Sequence, residues 1–407
     1  MAVALRDNRI GGSPPTVVVM LLDLDDDRRA FRDSVRSWVD KNFPPERALE
    51  LEKREYQYPY ELWEGMAEAG FHAMGIPEEY GGQGGNAVDT AVLARELARS
   101  LGGLSWVWGI PSFAGAKALV HGGSEEQKRE YLPKLAEGEI RFSIAVTEPS
   151  GGTDVLGAMS TRAKKVDGGW RVSGQKMWST GAKEATYLLL LARSADAEAP
   201  GKRPRTTLLL VPTDSPGIDM RYIPKLGMRA MGSCEIFLDD VFVPDSQLIG
   251  EEHNGFKVLL ASLNNERIMA GALALGMLDG ILEESVEYAK NRTTFGKVIG
   301  GHQIIQHYIA DTRLGQKQGE LMVFDAAWRE AAGMHCHQEA NMVKVVLSEL
   351  AVSAADRGIQ ILGGMGISSE THAQRFWRDL RQFRIAPISN EMARQNLAES
   401  FGLPRSY

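Results

Sequence analysis

The stretch "RDLRQFRIAPISNEMARQ", Arg378 to Gln395, ends one helical pattern and begins another around a short turn. The turn holds Pro387, which has no backbone N–H to donate. Beside it stand Ser389, Asn390 and Glu391, residue types that make polar contacts in a site. Two other stretches carry reactive side chains. "GMHCHQE" sets His335, Cys336 and His337 side by side. Adjacent residues on a helix point in different directions, so one ion could not use all three, and no metal is expected. Cys234 lies in a strand-like run with no charge nearby to lower its pKa, and is expected to be packed rather than nucleophilic.

The elements that must position such a site follow from composition and periodicity. The chain has 407 residues and a net charge of −7. That length is enough for two to three domains or one large enzyme. The acidic balance opposes broad nucleic-acid binding and an electrostatically held membrane association. Two cysteines give no disulfide framework and point to a reducing compartment. No apolar run reaches the ~18–20 residues of a membrane span. The expected location is the cytoplasm, with residues 1–24 a flexible leader that lacks the pattern of a secretory signal.

From 25 to 142 the pattern is helical. "DDDRRAFRDSVRSWVDKNF" spaces Phe31, Val35, Trp38 and Val39 on one face. "AVDTAVLARELARS" reads as a further amphipathic helix. "SEEQKREYLPKLAEGE" opens with a serine cap and an acidic first turn. From 143 to 253 short apolar or alternating runs separated by Gly, Pro, Asp and Ser predict an antiparallel β domain. From 254 to 407 three long apolar-faced segments predict a helical bundle. The fold class is α+β, in the order helices, β domain, four-helix bundle.

Within that frame "AVTEPSGGTD", "KMWST", "NRTTFGKVIGGHQ" and "QILGGMG" occur in order. Together they resemble the acyl-CoA dehydrogenase superfamily over nearly the whole chain from about Asp25. The resemblance implies non-covalent FAD, oxidation of an acyl-CoA to the 2,3-enoyl-CoA, electron transfer to an electron-transfer flavoprotein, and a homotetramer built as a dimer of dimers. It puts Val146 and Thr147 beside the flavin ring, with Gly152 and Thr153 where backbone approaches flavin and substrate. Trp178 is the expected aromatic wall, with Ser179 and Thr180 near the ring's polar edge. Arg292, with Thr294 and Phe295, is assigned to the FAD pyrophosphate of a neighbouring subunit, where a guanidinium fork suits phosphate. Gln303 follows that motif, and Gln360, Gly363 and Gly364 fall on the adenosine side.

Many members of that family keep the catalytic carboxylate on the loop after the last long helix. The matching position here is Pro387, which cannot be a base. Others carry a glutamate on the helix after the β domain, just before an arginine. That place is "LNNERIMAG", which makes Glu266 the expected base, with Asn264 and Arg267 in the substrate pocket. Ser389 and Glu391 take the matching flavin-contact places. Pro387 also removes an N–H that helps hold the thioester oxygen in relatives, and Ile388 is the nearest replacement. Two alternatives stay open: altered flavin chemistry, such as an oxidase or monooxygenase, and a non-catalytic or nucleic-acid-binding flavoprotein.

Overall fold

The computed structural model describes residues 24–196 and 203–405, with the backbone of two short paired strands, β1 (Val3–Leu5) and β2 (Val18–Met20). The rest of the expected leader lies outside the described residues. The first helices are α1 (Asp26–Asn42), α2 (Pro45–Glu52), α3 (Tyr60–Glu68), α4 (Ala87–Leu101), α5 (Trp106–Pro111), α6 (Ala118–Gly122) and α7 (Glu125–Ala136). Their starts follow local chemistry. Asp25 accepts the Arg28 N–H at the head of α1, and Ser124 with Gln127 forms a reciprocal cap on α7.

One expectation changes here. α4 is not amphipathic in place: it is buried on nearly every side, because α1, α8 and α9 surround it. Its arginines therefore reach carboxylates on neighbouring helices.

The β domain comprises β3 (Phe142–Ala145), β4 (Arg162–Val166), β5 (Gly169–Thr180), β6 (Tyr187–Ala195), β7 (Arg205–Pro212), β8 (Ile218–Ile223), β9 (Ser233–Pro244) and β10 (Leu248–Ile249). The path β10-β7-β6-β4-β5-β9-β8 is antiparallel except where β4 meets β6. β3 also runs parallel to β6, so the sheet is mixed rather than purely antiparallel. The alternating period of a strand explains the apolar run in β6. Leu188 and Leu190 fill the core of the β domain, while Leu189 and Leu191 face the main helical core. Both faces of this strand are covered, and the sequence reads accordingly as an unbroken hydrophobic stretch.

The last part opens with α8 (Gly255–Asn291), 37 residues long, or about 55 Å at the standard rise. A hairpin of β11 (Thr293–Thr294) and β12 (Lys297–Val298) follows, then α9 (Gln303–Ala331), α10 (His337–Leu362), α11 (Gly364–Ile367), α12 (His372–Arg381) and α13 (Asn390–Glu399). α8 lies close against α4. A Cβ at Gly276 or Gly280 would sit 2.1 Å from Arg95 O or 2.2 Å from Arg99 O, so only glycine permits this approach. Arg95 then pairs with Asp279 at 2.7 Å and Glu320 at 2.9 Å, which ties α4 to α8 and α9.

α12 binds the three parts of the chain together. The buried Asp379 carboxylate accepts the Gly103 N–H at 2.9 Å and the Met228 N–H at 2.7 Å. One donor belongs to the N-terminal helices and the other to the loop between β8 and β9. Arg378 adds a two-pronged pair with Glu52 on α2, at 2.9 and 3.2 Å. Arg375 donates to the carbonyls of Leu101 and Ser100. Replacing Asp379 by alanine strands two buried N–H groups, each needing a partner. The expected cost is about 3 kcal/mol. It is read as a lower Tm of the full chain, and an unchanged Tm would contradict this role.

Candidate active site

The loop from Val146 to Thr153 is built on a buried ion pair that the motif reading did not single out. Glu148 Oε1 accepts Lys176 Nζ at 2.8 Å and the Thr161 N–H at 3.0 Å. Its Oε2 takes the Ser160 N–H and hydroxyl, both at 2.6 Å. Burial alone would raise this carboxyl. Lys176 and Ser160 outweigh burial and hold it at about 2. Lys176 also donates to Val146 O at 3.1 Å, and Met177 N–H to Thr147 O at 2.8 Å. These bonds fasten the loop along β5, next to Trp178. A glutamate in one motif and the lysine that opens the other were the available sequence signal.

Trp178 owes its position to a bulge. Lys176 pairs with Ile236 and Ser179 with Cys234, so Met177 and Trp178 together oppose the single residue Glu235. Such an insertion re-aims a side chain. Trp178 adopts φ 61°, a strained value for a large side chain, and is 52% exposed. Ser179 does not share that surface. The bulge shifts the alternation and turns it inward, and it is fully buried with no partner for its hydroxyl. Thr180 is half-buried and its hydroxyl meets Ser233 Oγ at 2.8 Å. Gly152 and Thr153 are exposed, and a Cβ on Gly152 would meet nothing within 4 Å. The chain alone does not require glycine there.

Glu266 lies one third of the way along α8 and is 8% exposed. Among the described residues no donor hydrogen-bonds its carboxylate and no cation pairs with it. Burial pushes the carboxyl up to about 7, although the nearby Arg267 charge opposes this. Arg267 is buried too. Its guanidinium donates to Asn264 Oδ1 at 3.2 Å, and His337 Nδ1 lies 3.2 Å from the same oxygen. Thus His337, on α10, belongs beside Asn264 and Arg267. Among the described residues no group of three metal-ligating side chains occurs. Cys234 is buried, and burial pushes its thiol up to about 11.

The remaining predicted residues lie at the far end of the bundle. Arg292, Phe295, Gln303, Gln360, Gly363 and Gly364 are exposed, Phe295 at 98%. Thr294 is half-buried in the same hairpin. An apolar cluster that includes Ala289, Ile299, Ile361 and Leu362 packs the hairpin end of α8 against the end of α10 and so gathers these residues. Ser389 accepts the Met392 N–H as the cap of α13, which leaves its hydroxyl proton to donate. Glu391 is exposed on the first turn. Asn390, between them, is buried and bonded to α10, which the motif reading did not anticipate.

A helical domain, a β domain and a helical bundle around a buried carboxyl without a partner define a three-part α+β protein with a candidate acid–base site. The comparisons give its family. The N-terminal, middle and C-terminal domain models of acyl-CoA dehydrogenase match residues 25–139, 143–241 and 253–402. The chain is 33% identical over 385 residues to acyl-CoA dehydrogenase FadE12 of Mycobacterium tuberculosis, covering 94% of this chain and 98% of that one. The glutaryl-coenzyme A dehydrogenase–glutaryl-CoA complex superposes with a TM-score of 0.89 at 28% identity, covering 95% and 98%. The FAD complex of PigA gives 0.88 at 28%, covering 94% and 100%. This chain belongs to the acyl-CoA dehydrogenase family, oxidoreductases acting on CH–CH groups.

Two outcomes follow from the buried charges. Lys176→Met leaves Glu148 uncompensated and is expected to cost about 3–5 kcal/mol. The double variant with Glu148→Gln is expected to recover part of that loss in Tm, and equal Tm values would refute the coupling. Glu266 holds its proton more tightly folded than unfolded. Native stability therefore falls as pH rises from the ordinary glutamate range through about 7, and the whole penalty is present above that. Glu266→Gln is expected to gain about 3 kcal/mol at pH 8 and little at pH 4.5. Denaturation midpoints at the two pH values provide the check.

Proposed function

We propose that this chain oxidises an acyl-CoA thioester to the 2,3-enoyl-CoA, with Glu266 as the base and an electron-transfer flavoprotein as acceptor. The observation that carries this reading is Glu266 itself. It is a buried, unpartnered carboxyl that ionises near neutrality, on a rigid helix. Such a group is poised to take a proton from carbon and hold it.

FAD is the cofactor, and the residues present fit it. Trp178 offers an exposed aromatic face, the Glu148-fixed loop runs beside it, and Gly152 leaves open space. The flavin, when bound, supplies the hydride acceptor. Val146, Thr147, Thr153 and Thr180 flank the ring in this reading. Glu266 takes the α proton and becomes neutral. The β hydrogen leaves with its electron pair, and the α,β double bond forms. Arg267 and Asn264 line the pocket and set its charge. Arg292, Thr294, Phe295, Gln303, Gln360, Gly363 and Gly364 serve the pyrophosphate–adenosine part of a neighbouring copy's FAD. Their exposure at one end of the bundle favours that use and a homotetramer.

Pro387 favours a second reading, in which O2 is the acceptor, because the turn departs from the usual family loop. The decisive experiment is anaerobic titration of the flavin with an acyl-CoA panel. Wild type is expected to bleach with at least one thioester, and Glu266→Gln to react about 100-fold or more slowly. Equal rates would move the base elsewhere, with Glu391 next to test. O2 consumption far faster than reduction of the flavoprotein carrier would select the second reading.

A further inference from the structure

Beneath the Pro387 turn lies a group of buried polar side chains with no part in the reading above. Lys344, in the N-terminal third of α10, is 2% exposed, and its Nζ donates to Asn390 Oδ1 at 2.6 Å. Asn390 is the first residue of α13 and is itself buried. Its Nδ2 donates to Ser348 Oγ at 3.0 Å and Glu349 Oε1 at 2.9 Å. Glu349 pairs in turn with Arg384, just before the turn, and with Arg394 on α13 at 3.5 Å. The segment from Ile385 to Ser389 is therefore held at both ends from α10.

An ammonium in this place is costly. Burial lowers Lys344 to about 8. Glu391 and Glu349 favour its charge, and Arg267 and Arg394 oppose it. A methionine would fill the same space without that cost, so what the lysine contributes is its bond to Asn390. The turn shows where such rigidity is needed. The Ile385 and Ala386 N–H groups both donate to Gln382 O, at 2.8 and 2.9 Å. Pro387 has none to offer. Ile388 is half-buried, and among the described residues its N–H has no acceptor.

We propose that Lys344 is a positioning residue for the reaction: through Asn390 it fixes the turn so that the Ile388 N–H meets the thioester oxygen, replacing the donor that Pro387 removes. A donor at that oxygen stabilises the enolate-like charge that forms as the α proton leaves. Its value depends on being held in place beforehand. The inference rests on the thioester-oxidation reading.

The probe is acetoacetyl-CoA, a thioester whose enolate absorbs in the near ultraviolet, titrated into the FAD-loaded enzyme. Lys344→Met and Asn390→Leu are each expected to lower the enolised fraction of bound probe by about tenfold or more. Asn390→Asp keeps an acceptor for the lysine but loses the donor to Glu349, and is expected to fall between wild type and Asn390→Leu. With a reducing acyl-CoA, kcat falls in the first two variants while KM is nearly unchanged. Loss of enolisation in Lys344→Met but not in Asn390→Leu would overturn positioning and leave only an effect of charge. If Lys344→Met does not fold, Asn390→Leu decides, since it leaves the lysine in place. A wild type that bleaches while Asn390→Leu enolises the probe as well as wild type overturns this inference alone. A wild type that neither bleaches with any thioester nor enolises the probe overturns the function and the inference together.

Discussion

The Asp379 carboxylate is the point on which the arrangement of this molecule depends. Each of its oxygens holds a backbone N–H from a different part of the chain, one from Gly103 and one from Met228. A carboxylate can serve two donors at once because each oxygen carries its own lone pairs. Helix α12 thereby fixes the N-terminal helices and the β domain against the bundle with a single side chain. Arg375, one helical turn before Asp379, and Arg378, its immediate neighbour, repeat the connection to Ser100, Leu101 and Glu52. The candidate active site draws on the β domain and the bundle, so its geometry inherits whatever precision this junction has.

Against that fixed frame the site is made of charges treated in opposite ways. Glu148 and Lys176 are buried as a pair, each with further hydrogen bonds to the backbone, and the pair's product is a fixed loop. Glu266 is buried alone, and the product is a carboxyl whose affinity for a proton is raised. The first arrangement spreads its desolvation cost over several charge-assisted bonds. The second leaves the cost in place, which weakens the fold above neutral pH and leaves a carboxyl that exchanges its proton near neutrality. Lys344 is likewise buried with a hydrogen-bond partner, Asn390, and it lies under the turn that holds Pro387.

The sheet adds a device of its own. The bulge at Met177 and Trp178 exposes a tryptophan that regular alternation from the buried Lys176 would turn inward. The same irregularity sends Ser179 inward, away from the surface that the motif implied for it. A motif names residue types in order, but a bulge changes which face each of them reaches.

The order of helices and strands was legible because periodicity and turn residues are local: the long runs of α8, α9 and α10 and the serine cap of α7 need no distant partner to be read. The motifs were legible as well, since their residue types and order survive without coordinates, and Glu266 came from the one glutamate–arginine step at the matching place. The burial of α4 on almost all sides, the parallel pairing of β3 with β6 and the inward turn of Ser179 were decided only in the folded chain. So were the partners of Lys176, Lys344 and Asp379, which lie 28, 46 and as many as 276 residues away in sequence. A charged residue in a helical or strand pattern reads as solvated until its surroundings are known, because exposure depends on what packs against it. Tertiary structure alone removed the water from these groups, and that removal is what raises the affinity of Glu266 for a proton.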